Sequence, residues 1–425
     1  MNWRKKSKKD WGRLDLNYKE TPFGKIPEHW GVGTILENSK LVTDYVANGS
    51  FASLKENVQY KNEPDYAILI RLVDFNNEFD GNFVYLSRHS YDFLKKSKLF
   101  GNEIIISNVG ANVGMVFKAP SLSKPMSLGP NSIMFIPKGD NDFYYYWMKS
   151  RFGQHMLKSI VSGSAQPKFN KTDFRRLEIP VPPINEQKEI GSILRSLDDR
   201  IAENKKINHH LAEIAKSIFD SYFIDLSPYN GVMPDDWQLS NLTGIANYLN
   251  GLAMQKHRPQ SNEQGLTVLK IKELRQGFTD STSDLCSSNI RRDYIIHDGD
   301  VIFSWSGSLL VDFWTGGDCG LNQHLFKVSS ETYDKWFYYA WTKHHLDRFV
   351  KMAADRATTM GHIKRDALEK AEVLIPSNKD YQEIGNKLKP IYDQIINNRV
   401  ESRKLVALRD TLLPKLMSGE ISVTD

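Results

Sequence analysis

The chain has 425 residues, of which 40% are hydrophobic and 11% aromatic. These values are typical of a folded globular protein with two or more domains. No apolar run approaches the roughly 20 residues that a membrane span needs, and the basic N-terminus lacks the apolar stretch of a secretion signal. We therefore expect a cytoplasmic protein with no membrane partner. The two cysteines, Cys286 and Cys319, lack C-x-x-C spacing and are expected to be reduced.

The net charge of +5 originates in residues 1–13. This tail has six basic residues against one acid, so the remaining chain is nearly neutral. Any surface for nucleic acid must therefore be a local patch and not a general excess of positive charge. The tail itself is either an electrostatic arm for phosphates or a solvated chain end. The residues concerned are Arg4, Lys5, Lys6, Lys8, Lys9 and Arg13, with Asp10 as the acid.

Residues 14–184 form the first predicted domain, which has mixed α and β character. The runs "YAILIRLVDF", "EIIISN" and "NSIMFIP" are rich in β-branched and aromatic residues and are separated by Gly, Asn and Asp, as strands are. The aromatic stretch from Phe143 to Trp147 is interpreted as a buried helix face, in preference to a surface for stacking bases. Residues 227–377, the second predicted domain, have the corresponding runs "LTVLKI", "DVIFSWS" and "HLFKVS".

A long helix is predicted after each domain, over residues 185–226 and within residues 378–425. Apolar residues recur at alternating steps of four and three, which indicates a heptad seam, and both seams have Asn at the fifth position. Asn185 and Ser377 are the predicted caps of the two helices. The seam residues are Ile190, Leu194, Leu197, Ile201 and Asn204 in the first helix and Ile384, Leu388, Ile391, Ile395 and Asn398 in the second.

The two halves of the chain are an internal repeat. The motif "EIG" recurs at an offset of 194 residues, from Glu189 to Glu383, and "FYYYWMK" at 143 corresponds to "FYYAWTK" at 337. A two-fold relation between the copies would pair the helices antiparallel, with Asn204 and Asn398 meeting near the centre. A parallel pair would also bring these two residues together, so the sequence alone leaves the direction open.

Two polar, basic loops precede the proline-rich ends of the domains, and they are the predicted sites of DNA contact. Their sequences are "SGSAQPKFNKTDFRR" and "DRATTMGHIKRD", and a weaker candidate is "AMQKHRPQ". Amide and cationic side chains suit contacts with phosphates and base edges, although ordinary solvated loops have a similar composition. The candidate DNA-binding residues are Gln166, Lys168, Asn170, Lys171, Arg175, Arg176, Lys256, Arg258, Arg356, His362, Lys364 and Arg365.

The sequence has no recognisable catalytic motif. There is no G-x-x-x-x-G-K-[ST] loop, no G-x-G-x-x-G after a strand, and no Asn/Asp-Pro-Pro-aromatic motif of amino methyltransferases. The adjacent histidine pairs lack the spacing of metal ligands, so no metal site is predicted. The "WSGS" segment at Trp305 lacks the second glycine of a nucleophile elbow and is interpreted as a turn that supplies hydroxyl and backbone donors.

Several motifs together resemble the specificity subunits of type I restriction-modification systems. They are "IPEHW" and "MPDDW" opening the halves, "IPVPPINEQKEIGSILRSLDDRIAENKK", "SIFDSYFIDL", "WSGSL" with "LNQHLFKV", "TTMGHIKRDALEKAEVLIP" and "LRDTLLPKLMSGEI". The resemblance extends over nearly the whole chain. It implies an α+β fold: two pseudo-repeated mixed α/β target-recognition domains joined by two long helices that form an antiparallel coiled coil.

The resemblance also implies a function and a set of partners. Such subunits have no catalytic activity and read a split target in double-stranded DNA, one half with each domain, while the helices set the gap. They dock two modification (methyltransferase) subunits and assemble with restriction (translocase and nuclease) subunits. No cofactor is expected on this chain; S-adenosylmethionine, ATP and Mg²⁺ are expected on the partners. The alternatives are a coiled-coil scaffold without sequence-specific DNA binding and, less favoured by the absent motifs, a stand-alone nuclease.

Overall fold

The computed structural model describes residues 17–354, 363 and 365–423. The chain forms two compact units: unit 1 contains the residues up to Asp198 and from Ala407 onward, and unit 2 contains Asp199–Val406. The boundaries between the units therefore fall inside the two long helices. None of the helices within the described ranges combines the length and apolarity that crossing a membrane requires.

Unit 1 is a mixed α/β domain followed by the beginning of the first long helix. Its strands are β1 (Tyr18–Thr21), β2 (Gly24–Pro27), β3 (Gly31–Thr34), β4 (Ser39–Asp44), β5 (Tyr60–Lys61), β6 (Ala67–Ile70), β7 (Val84–Leu86), β8 (Lys98–Leu99), β9 (Ile104–Ser107), β10 (Val116–Lys118), β11 (Met126–Leu128), β12 (Ser132–Pro137) and β13 (Glu178–Val181). Its helices are α1 (Phe51–Asn57), α2 (Leu72–Asn76), α3 (Arg88–Phe93), α4 (Asn141–Lys149), α5 (Arg151–Ser159), α6 (Lys171–Arg176) and α7 (Ile184–Phe219), which continues into unit 2.

Unit 2 repeats this plan. Its strands are β14 (Gln238–Asn241), β15 (Asn247–Asn250), β16 (Leu266–Leu269), β17 (Leu285–Cys286), β18 (Ile295–Ile296), β19 (Val301–Ser304), β20 (Leu310–Phe313), β21 (Cys319–Leu321), β22 (Leu325–Ser329) and β23 (Glu372–Ile375). Its helices are α8 (Leu242–Ile245), α9 (Ile271–Gln276), α10 (Lys335–His344), α11 (Leu346–Ala354), α12 (Arg365–Glu369) and α13 (Asn378–Met417), which ends in unit 1.

The sheets of the two units have the same topology. Each unit has an antiparallel four-stranded sheet, with strand order β10-β9-β12-β4 in unit 1 and β20-β19-β22-β15 in unit 2. Each also has a mixed sheet, β5-β7-β6-β11-β8 or β17-β16-β21-β18, in which β11 is parallel to β6 and β21 to β16. The internal repeat inferred from the sequence is therefore a repeat of strand order, with β5 as an addition in unit 1.

The predicted strand runs are observed, but in two of them a helix begins before the run ends. The run "YAILIRLVDF" is a strand only to Ile70, and the second half forms α2 because the Asp74 carboxylate accepts hydrogen bonds from the Arg71 backbone and guanidinium. The run "LTVLKI" ends at Leu269 for the same reason, since Glu273 accepts from the backbone of Lys270 at 3.2 Å. Hydrophobicity alone does not reveal these side-chain caps.

The aromatic stretches are buried helix faces, as predicted. Helix α4 buries Phe143 and Trp147, and α10 buries Phe337 and Trp341, all at 3% exposure or less. In unit 1 these rings pack with Ile190 of the long helix, among other residues. The aromatic residues thus connect each sheet to a long helix and are not available for stacking on bases.

Each long helix is attached to its unit by an indole hydrogen bond. Trp30 of "IPEHW" donates to Glu186 in the first turn of α7, and Trp237 of "MPDDW" donates to Asp380 in the first turn of α13, both at 2.8 Å. The prediction that Ser377 caps α13 is confirmed, because the Asp380 amide donates to its hydroxyl.

The prediction that Asn185 caps α7 is wrong. Helix α7 already begins at Ile184, and the amide of Gln187 donates to the carbonyl of Pro183 at 3.1 Å. The residue before the helix is therefore Pro183, two residues earlier than the predicted cap.

The two long helices run antiparallel. Within unit 2, Asn204 donates to Glu401 at 2.7 Å, and Tyr222, in the π-helical turn after α7, donates to Glu383 at 3.2 Å, so the partner number falls as the residue number rises. The seam residues are buried or half-buried. Ile190 and Leu194 lie in the core of unit 1, Ile384, Leu388 and Ile395 lie in that of unit 2, and Leu197, Ile201 and Ile391 are half-buried.

A layer of amide side chains interrupts the apolar seam in unit 2. Asn204 and Asn398 are 1% and 3% exposed, and the Asn204 amide lies 3.4 Å from the Asn398 carbonyl. Asn398 donates to Asn208 at 2.9 Å and accepts from Gln394 at 2.6 Å. The hydrogen bond from Asn204 to Glu401 lowers the pKa of that carboxyl, with a further contribution from Arg200. Buried amides of this kind favour one register of a helix pair over others.

Candidate nucleic-acid interface

The basic loop of unit 1 is closed at its base by backbone hydrogen bonds. Ser162 and Lys168 exchange two N–H···O bonds of 2.8 Å, and Lys168 also bridges to Val109 in the turn after β9. Gly163 has a φ of +88°, in the left-handed region that glycine tolerates. The loop is therefore a defined projection from the four-stranded sheet.

The predicted residues of this loop differ in their roles. Gln166, Lys168 and Arg176 are exposed to solvent, and no side-chain partner is found for them in the part of the chain that the structure describes. Asn170 is also exposed, but its carboxamide oxygen caps α6 by accepting from the amide of Asp173 at 2.8 Å. The first three side chains are thus available for an external ligand, whereas Asn170 has a structural use as well.

Lys171 and Arg175 point from α6 into a concave surface of unit 1. Lys171 forms an ion pair of 2.8 Å with Asp44, and Arg175 donates to the carbonyl of Val42 at 2.6 Å. The buried Nε of Arg175 has no partner among the described residues. Both cations are therefore positioned by β4, and both line the concavity.

Three lysines that were not predicted line the same concave surface, whose volume is about 420 Å³. Lys95 and Lys96 are exposed and lie between the fully buried Leu94 and Ser97, and Lys98 is half-buried beside them. We call Lys95, Lys96, Lys98, Lys171 and Arg175 the basic concavity. The signal was present in the sequence as the run "KKSK", but it lies between predicted strands and outside the predicted loops.

The lysine turn of the basic concavity is held in place by one asparagine. Asn48 accepts from the backbone amide of Lys96 at 2.7 Å and donates to the hydroxyl of Ser97 at 2.8 Å. The nearest acids only partly compensate the charge: Asp44 pairs with Lys171, and Asp92 lies 3.5 Å from Lys98. A positioned cluster of cations with few acids is suited to bind the phosphates of a nucleic acid.

An exposed aromatic ring borders the basic concavity. Phe100 is 80% exposed and lies at the tip of a turn in which Gly101 has a φ of +104°. The buried carboxylate of Glu103 fixes this tip by accepting from the amides of Phe100 at 2.8 Å and Gly101 at 2.9 Å. A rigid aromatic side chain beside cations is a common element of surfaces that contact nucleic acids.

Of the residues predicted for unit 2, the three within the described ranges, Lys256, Arg258 and Arg365, do not line one common concavity. Lys256 is exposed in a short turn, and Arg258 lies beside β17, where it donates weakly to the carbonyl of Leu285 at 3.5 Å. Arg365 is exposed at the start of α12 and lines a different concavity of about 430 Å³, bordered by α8 and the end of β22. Arg356, His362 and Lys364 lie outside the described residues, as do the six cations of the N-terminal tail.

In the described part of the chain, no group of three or more His, Cys, Asp and Glu side chains is arranged to hold a metal ion. Cys286 and Cys319 are buried as free thiols, and burial raises the pKa of the Cys319 thiol to about 11. Neither thiol is therefore activated as a nucleophile.

Comparisons with known proteins identify the family. The family model of the type I restriction modification DNA specificity domain matches twice, at residues 42–213 and 234–404. The type I restriction enzyme MjaIX specificity subunit of Methanocaldococcus jannaschii is 25% identical over 441 residues, which cover 97% of this chain and 98% of the relative. The EcoKI specificity subunit of Escherichia coli is 23% identical and covers 94% of this chain and 90% of its own length.

A solved structure has the same fold. The crystal structure of the type I restriction-modification system S subunit from M. genitalium matches with a TM-score of 0.59 at 16% identity, and it covers 93% of this chain and 98% of its own length. Because the family model matches both halves and more than half of all residues, the chain belongs to the family of type I restriction modification DNA specificity domains.

Proposed function

We propose that this chain is the DNA specificity subunit of a type I restriction-modification complex. The observation that carries the proposal is the double family match, one in each half of the chain, on a framework that repeats in strand order. The relatives that match over nearly their whole length are named as specificity subunits of type I restriction enzymes. Each half then reads one part of a split target in double-stranded DNA.

The antiparallel helix pair is proposed to set the gap between the two half-sites. Helix α7 has 36 residues and α13 has 40, so at about 1.5 Å per residue they are roughly 54 and 60 Å long. Half-sites one helical turn apart are separated by roughly 34 Å. Helices of this length are sufficient to act as a spacer, and the amide layer at Asn204 and Asn398 favours a single register.

The chemistry is proposed to reside on partner subunits. This chain would dock two modification subunits, which bind S-adenosylmethionine and methylate adenine, and restriction subunits that use ATP and Mg²⁺. The chain itself would be non-catalytic and cytoplasmic. The absence of nucleotide-binding and methyltransferase motifs from its sequence supports this assignment.

Co-expression with the cognate modification subunits tests the proposal. Methylated adenines are mapped across the host genome by single-molecule sequencing, with a strain lacking this chain as the control. We expect one new split motif with methyl marks in both halves. An assembled complex supplied with S-adenosylmethionine that leaves no new motif and binds no DNA would favour the scaffold, and metal-dependent cleavage of DNA by the purified chain would favour a nuclease.

A further inference from the structure

Phe100 is an exposed aromatic side chain that contributes nothing to the core of unit 1. Among the large apolar residues described for this unit, only Phe51, at 83% exposure, is more accessible than Phe100, at 80%. Phe100 belongs to none of the buried apolar clusters of the described part of unit 1. Single apolar side chains are common at protein surfaces, so the surroundings of Phe100 decide whether it has a use.

The turn that carries Phe100 is fixed on both of its sides. Glu103 holds the amides of Phe100 and Gly101, as described above, and the amide of Asn102 donates to the carbonyl of Ala119 at 2.9 Å. From the other side, the carboxamide of Asn141 in the first turn of α4 donates to the carbonyl of Asn102 at 2.7 Å. The ring is therefore presented at the tip of a preorganised turn, which lowers the entropy that a ligand loses on binding.

The surface beside Phe100 is apolar as well as cationic. The basic concavity is also lined by Leu41, which is 40% exposed, and by the half-buried Ile136. Its volume of about 420 Å³ is in the range of small-molecule sites, so it can receive the backbone of one DNA strand but not a whole duplex. Helix α6, which supplies Lys171 and Arg175, directly follows the basic loop, so the concavity continues the segment predicted to contact DNA.

The equivalent turn of unit 2 has no such ring. The amide of His297 donates to the carboxylate of Asp300 at 2.9 Å, which is the same turn bond as that of the Phe100 amide. The imidazole at this position lies 2.8 Å from the carboxylate of Asp318. Within the described residues, an aromatic ring beside a cluster of cations at this turn is therefore a feature of unit 1.

We infer that Phe100 inserts between two base pairs of the half-site read by unit 1, while the basic concavity holds the backbone of one strand beside it. This inference rests on the proposed function. Apolar wedges of this kind unstack a base step and bend the duplex by about 20–90°. Because pyrimidine–purine steps kink most readily, Phe100 favours such a step without a hydrogen bond to any base.

Fluorescence of 2-aminopurine tests the inference when the probe is placed in turn at each position of the two mapped half-sites. The complex is assembled with the modification subunits, and we expect one step of one half-site to unstack. Phe100→Ala should abolish the increase in fluorescence at this step, whereas Phe100→Leu keeps an apolar wedge and should retain part of it. Phe51→Ala is the matched control, because Phe51 is as exposed but does not line the basic concavity.

Other sources of unstacking are separated by two further measurements. Methyltransferases extrude their target base, so a probe at the methylated adenines should respond in both half-sites and should not change in Phe100→Ala. Energy transfer between dyes at the two ends of the duplex measures the bend, which Phe100→Ala should reduce and Phe51→Ala should retain. Since phenylalanine has no charge, the salt dependence of the affinity should stay that of the wild type in both variants.

Three results would overturn the inference while a split motif of the wild-type complex still upheld the proposed function. The first is unstacking at the methylated adenines alone, and the second is a signal and a bend that Phe100→Ala leaves unchanged. The third is the loss of a modification subunit from the Phe100→Ala complex, which would show that Phe100 docks protein. If the wild-type complex yields no split motif, the proposed function itself fails and the inference fails with it.

Discussion

The two units differ in the residues that flank one short strand of the mixed sheet, β8 in unit 1 and β18 in unit 2. In unit 1, β8 is flanked by the lysines of the basic concavity and by exposed Phe100, whereas in unit 2 the strand β18 is followed by His297 and Asp298. Asp298 forms an ion pair of 2.7 Å with Arg403 of α13, and this arginine lowers the pKa of the Asp298 carboxyl. The turn after this strand thus presents an exposed aromatic ring in unit 1 and a carboxylate that pairs with a helix of its own unit in unit 2.

This comparison indicates that the fold of each unit does not depend on the charges at its surface. The repeated features are buried: the aromatic helix faces, the Trp30–Glu186 and Trp237–Asp380 bonds, and the strand order. Exposed side chains on this frame differ between the units while the buried frame stays the same. Two readers of different DNA sequence on one framework require this freedom.

The largest effect is expected from separating the units along the helix pair. Seven residues of helical sequence are inserted between Asp198 and Asp199 and seven more between Val406 and Ala407, where the unit boundaries leave the contacts within each unit intact. A heptad adds about 10.5 Å of helix, so the preferred gap should lengthen by about three base pairs. Motif mapping measures the gap, and an unaltered gap would refute the spacer role.

Removal of the basic concavity should reduce affinity for DNA in unit 1. In the Lys95→Ala/Lys96→Ala/Lys98→Ala variant, each lost phosphate contact should lower the slope of log affinity against log salt by about 0.9. This slope is measured by fluorescence anisotropy of the assembled complex with a cognate duplex at salt concentrations from 50 to 200 mM. Lys188→Ala/Lys404→Ala, two exposed lysines of the long helices, is the control. A slope equal to that of the wild type would show that the concavity does not contact DNA.

The basic loop of unit 2 should also contribute to the affinity for DNA, but less than the basic concavity does. Lys364→Ala/Arg365→Ala is expected to weaken binding and to flatten the salt dependence by about one unit of slope for each lost phosphate contact. The same anisotropy titration measures the effect. If affinity falls while the slope stays constant, these residues do not bind phosphates.

Because of the amide layer, we expect substitution of two adjacent asparagines of α13 to have different effects on the free energy of unfolding. Asn398→Ala leaves Asn208 and Gln394 without their partner and should lower the free energy of unfolding by about 1–3 kcal/mol. Asn397→Ala, at the exposed neighbouring position, should change it by no more than about 0.5 kcal/mol. Urea denaturation compares the variants, and equal values would contradict a structural role for the layer.

The smallest effect is expected from the Asp298–Arg403 pair and depends on pH. Because the pKa of Asp298 is lowered in the folded state, its stabilisation is complete above the unfolded value of about 3.9 and is lost as pH falls through the folded pKa. Asp298→Asn should cost about 1 kcal/mol at pH 7, since the pair is about one-third exposed, and should remove this pH dependence. The exposed Asp293→Asn is the control; a variant whose stability falls with pH as steeply as the wild type would contradict the assignment.

The features that could be predicted from the sequence are those that the periodicity and the internal repetition of the chain determine. The heptad seam, the aromatic helix faces and the internal repeat depend on the spacing of apolar residues, which is a local property of the chain. The start of α7 at Ile184 and the helix at Leu72–Asn76 were missed because they depend on a proline carbonyl and on the Asp74 cap.

The candidate site was only partly predictable. Lys168, Lys171 and Arg175 belong to one recognisable basic loop, but the concavity forms when that loop and the Lys95–Lys98 turn, which are distant in sequence, meet beside β4. The ion pair of Lys171 with Asp44 joins residues that are distant in sequence and has no signature in the loop sequence, whereas the Asn170 cap is a local contact with Asp173.

The central claim is that each unit reads one half of a split target. Binding of the assembled complex is measured on four duplexes of equal length that carry both mapped half-sites, the first alone, the second alone, or neither, at one salt concentration. We expect the highest affinity for the duplex with both half-sites and a large loss of affinity when either half-site is removed. Equal affinity for all four duplexes, or full affinity retained with one half-site, would contradict it.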